Sequence, residues 1–416
     1  MILKDAQSYA AGVCQSDETY ILTNGSSCGI LSAIFSATKQ GGEVIMARNS
    51  HKAVYYAAEL RGLKTHYLYP EMLEEGILGS VTVEMVEEAF EAYPEAKTLV
   101  LTSPSFDGVV SDVRSIVRLA HSKGITVIVD EVHGGHFLKE SGFPKSAVRA
   151  GADVVVQSIR KMLPAMKQTG LLHVHQDYQY KDQLKKYLAM FQSPNPSEVL
   201  IESIDHAMHW YVEEGRECFA KYLENIQKLR SVLKAQLKHL KVFLPEDVFA
   251  YDDSKTLIST RNTNISGEEL KKCLEKNYGI SSEVVSLNCV LILTGATDKE
   301  EIFRNILDGL LEIDVSLENP LVLNQLKNEM TRPKALLSIG EAIEKQKKSV
   351  PLLESMGEVS AVYIYIYPMG IPLLTPGEKI SEGCVRSIQY YLEEGWNIHG
   401  LTKEREIEVV WEEYFI

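Results

Sequence analysis

From Tyr20 to His175 the chain alternates short, unbroken apolar runs with stretches whose apolar residues recur at helical spacing. The runs are YILT (20–23), EVIMA (43–47), THYLY (65–69), TLVLTS (98–103), TVIVDE (126–131), DVVVQS (153–158) and GLLHVH (170–175). Strands buried on both faces have this continuous Val/Ile/Leu character. The alternation therefore predicts an α/β unit, a largely parallel sheet with helices on both sides. Val113 to His121 in DVRSIVRLAHSKG is one of the intervening helical patterns. Ligands of such sheets bind beyond the carboxyl ends of the strands, so the polar residues that finish the runs are the ones to examine.

Outside this region Met1 to Ala11 reads as a helix that starts abruptly. A polar, Pro-containing stretch, FQSPNPSE (191–198), precedes a long helical pattern running to about Lys241, with Pro245 and the DDS at 252–254 marking a boundary. KTLIST (255–260), ISGEELKKCLEKNYGI (265–280), NCVLILT (288–294) and a helix from about Asp298 to Glu312 then read as a small α+β unit. A chain of 416 residues exceeds what one core serves. The expected division is 1–198, a connecting helix 199–244, a small unit 245–312 and a C-terminal unit 313–416, the last containing the Gly/Pro-rich YPMGIPLLTPGE (367–378).

Charge and composition narrow the classes of partner. Hydrophobic residues at 45% and charged residues at 24% are ordinary for a soluble globular protein. A formal net charge of -14 argues against nucleic acid or an anionic membrane surface as partner, and it attracts a cationic small molecule mildly. Solubility alone also explains such acidity. Six cysteines without a CxxC pair fit neither a disulfide framework nor a zinc site, so reduced, mostly buried thiols are expected. No signal peptide opens the chain and no apolar run approaches membrane-spanning length, which leads to the expectation of a cytoplasmic protein.

Three strand ends carry residues that sit oddly in a core. TNGSSCG (23–29) follows the first run and opens a helix, where Gly25 lets the backbone approach a ligand and Ser26 and Ser27 supply N–H groups and hydroxyls for an anion. Plain helix capping is the alternative. In VDEVHGGH (129–136), Asp130 ends the most apolar strand, where an unpaired carboxylate is costly. It is open to an ion pair, to a metal shared with Glu131, His133 and His136, or to a protonated ring nitrogen. The run lacks a recognised metal spacing such as HExxH, so no metal is expected. In VVQSIRKMLPAMKQTG (155–170) two cations, Arg160 and Lys161, interrupt apolar sequence. A desolvated lysine there becomes a nucleophile that forms Schiff bases. An anion cradle, a buried carboxylate and a buried amine are the three anchors that pyridoxal phosphate requires. His51 in RNSHKAV (48–54), also just past a strand, is either a capping histidine or a flat ring stacked on the cofactor.

These segments resemble the Orn/Lys/Arg decarboxylase family of pyridoxal-phosphate enzymes, which has the aspartate-aminotransferase-like fold, fold type I. TNGSSCG resembles that family's TNGST, RNSHKAV its RNxHKS, and TSPSFDGVVSD its TSPTYDGVxxD. IVDEVHGGHF is similar to VDEAHGAHF, and ADVVVQSIRKMLPAMKQTG to ADxVVQSxHKTLPALTQT. FQSPNPS resembles a TSPSY segment, and YPMGIPLLTPGE is similar to YPPGIPLLxPGE. Arg160, Met162 and Lys167 depart from the family's His, Thr and Thr.

The resemblance implies a Schiff base on Lys161, Asp130 paired with the ring nitrogen, and His51 stacked on the ring. It also implies a phosphate site of Gly25, Ser26, Ser27, Ser158 and Arg160, with His133 lining the substrate side. Apart from the resemblance, Glu378 in TPGE is a candidate reader of the substrate's distal cation or a plain turn residue. The implied activity is decarboxylation of arginine, lysine or ornithine, with a homodimer or higher homo-oligomer expected. Aminotransferase or lyase chemistry on the same anchors is the alternative, as is a non-catalytic homologue. Family members carry some tens of residues, including a PGHKGG-like motif, before the equivalent of Met1. The expectation from that difference is a chain whose activity depends on what supplies the segment.

Overall fold

The computed structural model describes residues 2–73, 75–139, 141–246, 248–319, 331–367, 371–393 and 395–411. All seven apolar runs are strands of one sheet: β1 Glu18–Leu22, β2 Glu43–Ala47, β3 Lys64–Leu68, β4 Thr98–Thr102, β5 Thr126–Asp130, β6 Val154–Gln157 and β7 Gly170–Val174. Their spatial order is β1-β7-β6-β5-β4-β2-β3. From β3 through β6 neighbours are parallel, whereas β7 runs antiparallel to both β6 and β1. The start of β7 therefore lies at the same edge as the ends of β1 and β6, with Gly170 opposite Leu22 and Leu171 opposite Gln157.

The period of two along a strand divides these residues between two cores. Helix α1 (Ile2–Cys14) precedes β1, and Val100, Ile128 and Val156 face helices α2 (Ser26–Ala37) and α3 (Lys52–Leu60). Leu99, Val127 and Val155 face the helices Val83–Ala92 and Val113–Ser122. Burial on both sides is the physical reason for the unbroken apolar runs. The exception in β7 is His173, buried between the Thr19 hydroxyl at 2.9 Å and Gln157 Oε1 at 3.0 Å.

A helix Glu198–Trp210, a π turn Tyr211–Gly215 and a helix Arg216–Gln236 form the long connection. Helix ends at Gln236, short of the expected Lys241, because the buried carboxylate of Asp314 accepts from the N–H groups of Lys238, His239 and Leu240 at 2.7–2.9 Å. Lys241–Phe243 then becomes an edge strand of an antiparallel sheet ordered Ser282–Ser286, Cys289–Ile292, Thr256–Ser259, Lys241–Phe243. Helices Gly267–Tyr278 and Glu300–Val315 accompany that sheet.

Farther on, a three-stranded sheet of Ile364–Tyr367, Pro372–Leu374 and Asn397–His399 packs with helix Glu382–Glu393. Residues 368–370 of the Gly/Pro-rich run lie outside the described residues. The six cysteines carry free thiols, four of them buried. Among the described residues no helix is long and apolar enough to cross a membrane.

Candidate active site

The turn after β1 brings Gly25 to the start of α2. Its φ of 79° asks for glycine, while a Cβ there would meet nothing within 4 Å, so conformation and not crowding selects the residue. No side chain caps α2, which leaves the N–H groups of its first turn directed at whatever lies beyond them. Gly25 N donates to Gln168 O at 2.8 Å, tying this turn to the segment leading into β7.

Asp130 ends β5 and is 4% exposed. Oδ1 accepts from Val132 N at 3.1 Å. Burial raises its pKa from 3.8 to about 6, against smaller opposing effects of that hydrogen bond and of Lys161. Ser158, buried, begins the turn Ile159–Lys161 that follows β6. Lys161 Nζ lies 2.9 Å from His133 Nε2 and 3.3 Å from Nδ1. Burial first, then the nearby charges of Lys255 and Arg160, lower its pKa to about 8. His133 is held neutral by burial and by Lys161, and Phe106 meets its ring edge-on at 5.3 Å.

His51 caps α3 by accepting from Ala53 N at 3.2 Å through Nδ1. Although the ring lies open to the cavity, surrounding protein and the charges of Lys52 and Lys161 lower its pKa to about 4. The capping role and a cavity-facing position thus coexist.

Gly25, Ser26, Ser27, His51, Asp130, His133, Ser158, Arg160 and Lys161 all line one cavity of about 500 Å³. The candidate metal set, by contrast, diverges. Glu131 accepts from Ser146 Oγ, Ala147 N and Gln157 Nε2 at 2.6–2.7 Å, and His136 pairs with Asp252 at 3.0 Å. Among the described residues no three potential metal ligands come together. Of the departures from the family pattern, Lys167 is exposed and Met162 packs half-buried against the apolar core, and only Arg160 borders the cavity. Glu378 is fully buried and bound to Arg48.

Sequence reasoning did not single out several other residues on the cavity wall. Arg48, Asn49 and Ser50 adjoin His51 in a run already quoted, so proximity was a usable signal. Gln168, with φ 78°, and Asp107, bonded to Ser105 Oγ at 2.6 Å, also lie inside quoted runs, ADVVVQSIRKMLPAMKQTG and TSPSFDGVVSD, but were not singled out there as site residues. Pro372, Leu373 and Tyr391 arrive from the C-terminal unit.

The chemistry of this wall is specific. Open helix N–H groups with Ser158 and Arg160 suit a phosphate. Among the described residues Asp130, a carboxylate whose pKa is raised by burial, has no cationic hydrogen-bond partner. A half-buried amine with a lowered pKa suits a carbonyl carbon.

Comparison with known proteins agrees in extent and order. The family profile for Orn/Lys/Arg decarboxylase, major domain, matches residues 2–257, and that for the Orn/Lys/Arg decarboxylase C-terminal domain matches residues 317–400. An arginine decarboxylase of Bacillus subtilis (strain 168) is 28% identical over 407 residues, which is 96% of this chain and 83% of that protein. The uncharacterized protein YaaO of the same organism is 31% identical over 414 residues, 97% of this chain and 85% of the other. Among solved structures, lysine decarboxylase A from Pseudomonas aeruginosa superposes with a TM-score of 0.84 at 20% identity, covering 98% of this chain and 71% of that one. The Francisella novicida lysine decarboxylase LdcF gives 0.83 at 19% identity, covering 98% and 72%. With both of its characteristic domains matched in sequence and its fold shared, the chain belongs to the Orn/Lys/Arg decarboxylase family.

Proposed function

We propose that the protein is a pyridoxal 5'-phosphate-dependent decarboxylase that releases carbon dioxide from arginine, lysine or ornithine. We further propose that it acts in the cytoplasm as a homodimer or larger homo-oligomer. One observation carries the reading: Lys161, Asp130 and the uncapped start of α2 face a single cavity at one edge of the sheet.

The residues present fit the cofactor. Asp130 has one backbone donor and a pKa raised by burial, so a protonated ring nitrogen supplies the cation it lacks. Ser26, Ser27, Ser158 and Arg160 would hold the phosphate through N–H groups, hydroxyls and a guanidinium. When bound, the cofactor supplies a conjugated electron-accepting ring that takes up the electrons of the bond to the departing carboxylate.

The rest of the work falls to the chain. Lys161 would hold the cofactor at its aldehyde through Nζ, and a pKa of about 8 leaves roughly a tenth of it as free amine at pH 7. Neutral His133 accepts from that amine and orients it. Asp130, ionised above about pH 6, keeps the proton on the ring nitrogen. His51, its Nδ1 occupied by Ala53 N–H, would offer a neutral ring to one face of the cofactor. Pro372 and Leu373 keep water from the apolar side. The division into 1–198, 199–244, 245–312 and 313–416 belongs to the same proposal, and limited proteolysis tests its limits.

Purified protein mixed with pyridoxal phosphate is expected to develop an absorbance band between the near ultraviolet and the violet. Assays on the three amino acids are expected to yield amine and carbon dioxide from at least one. A keto acid product instead places the chain among aminotransferases, and sedimentation reads the oligomeric state.

A further inference from the structure

A buried ion pair joins two segments that lie 330 positions apart in the chain and both border the cavity. Arg48 follows β2, and Glu378 closes the TPGE turn of the C-terminal unit. Arg48 Nη1 donates to Oε1 at 2.7 Å and Nη2 to Oε2 at 3.0 Å, the forked geometry that a guanidinium makes with a carboxylate. The two side chains are 1% and 0% exposed. Nη2 also donates to Leu373 O at 3.3 Å, and the guanidinium carbon lies 4.6 Å from the centre of the Tyr67 ring.

Each partner is anchored on its own side. Arg48 N donates to Leu68 O at 2.8 Å, and Arg48 O accepts from Tyr55 Oη at 2.6 Å. Glu378 Oε2 accepts from Thr375 N at 2.7 Å, and Glu378 O accepts from Ser360 N at 2.9 Å.

Taking two charges out of water costs so much that replacing a buried pair with matched apolar side chains is often neutral or stabilising. Stability is therefore a poor reason for such a pair, whereas its position offers a better one. The same guanidinium that meets Glu378 also holds the carbonyl of Leu373 on the cavity wall, and it lies three residues before His51. We infer that Arg48 and Glu378 are positioning residues that set the register of the 371–373 wall against the 48–51 turn, and so fix the space that receives the substrate's side chain. The substrate in this statement rests on the decarboxylase reading; the geometry does not.

The test uses the full chain with both charges removed, Arg48→Met with Glu378→Met, so that no ion is stranded. This double variant is expected to fold with a Tm near that of the parent and to bind pyridoxal phosphate with an unchanged absorbance band. KM for the preferred amino acid is expected to rise about tenfold or more while kcat changes less than about threefold. Amide hydrogen exchange is expected to quicken together at residues 48–51 and 371–378. An unchanged KM overturns the inference whatever the exchange does. Should the parent turn over none of the three amino acids, the functional reading fails instead, and exchange alone decides the pair: unaltered exchange in either segment overturns it. Arg48→Lys, which keeps the charge but loses the fork, is expected to shift KM in the same direction and serves if the double variant does not fold.

Discussion

The two sides of the cavity are built on opposite principles. On the sheet side, groups are left with less than their chemistry asks for. Among the described residues Asp130 has one backbone donor for a buried carboxylate, Lys161 has a neutral imidazole as its hydrogen-bond partner, and α2 begins without a side-chain cap. On the C-terminal side, Ile371, Pro372 and Leu373 are apolar, and the buried charge behind them, Glu378, is fully engaged by Arg48. Adjacent residues repeat the contrast within a single strand end. Asp130 and Glu131 are both buried and both raised in pKa, yet Glu131 is satisfied by three donors and faces away from the cavity wall. Unmet partners mark where a ligand completes the structure, and met ones mark where the structure holds itself.

The largest expected effect comes from removing the amine on the sheet side. Lys161→Ala is expected to abolish the cofactor absorbance band and to lower kcat about a thousandfold or more. A band that survives unchanged would remove Lys161 from its proposed place.

Asp130→Asn sharpens the comparison because it is expected to act in opposite directions on function and stability. Loss of the ionised partner lowers kcat on the order of a hundredfold. The pKa of Asp130 stands above its ordinary 3.8, at about 6, so the fold favours its neutral form. Its contribution to stability is therefore complete below about pH 4 and lost as pH rises through 6. Without the cofactor, Asp130→Asn is expected to stabilise the protein at pH 7 by about 1–3 kcal/mol, with little effect at pH 4, as read by denaturant unfolding. A destabilised variant at pH 7 would show that the carboxylate is better satisfied than its surroundings indicate.

A change behind the opposite wall is expected to show in stability first. Gly377 has φ 88°, and a Cβ there would overlap the carbonyl oxygen of Leu337. Gly377→Ala is expected to cost about 1–3 kcal/mol in thermal or denaturant unfolding while the absorbance band persists. The smallest effect is expected at the capping box of Ser266 and Glu269, neither of which lines the cavity. Ser266→Ala is expected to cost about 1 kcal/mol with kcat unaltered. A change in kcat there would break the separation between site and support.

Much of the sheet was legible because burial on both faces leaves an unbroken apolar signature, as in Val127–Val129 and Val154–Val156. The strand ends were legible too, since charged and hydroxyl residues such as Asp130 and Lys161 stand out against apolar neighbours. Direction was not: β7 reads like the parallel strands β2 to β6, because a strand covered on both sides looks alike whichever way it runs. The end of the long helix at Gln236 was missed because Asp314, 76 positions later, captures the N–H of Lys238.

What the sequence determined by itself is local: which segments are buried strands, where each ends, and which side chains are too polar for the place where they stand. Backbone propensity and burial act over a few residues and leave a periodic trace. Only the tertiary structure decided that nine of the candidate residues share one cavity, that Asp130 meets a ligand-sized space while Glu131 is spent on Ser146 and Gln157, and that Glu378 belongs to Arg48. Partnerships of this kind depend on how distant segments are brought together, and charges that meet across 330 positions leave no periodicity between them.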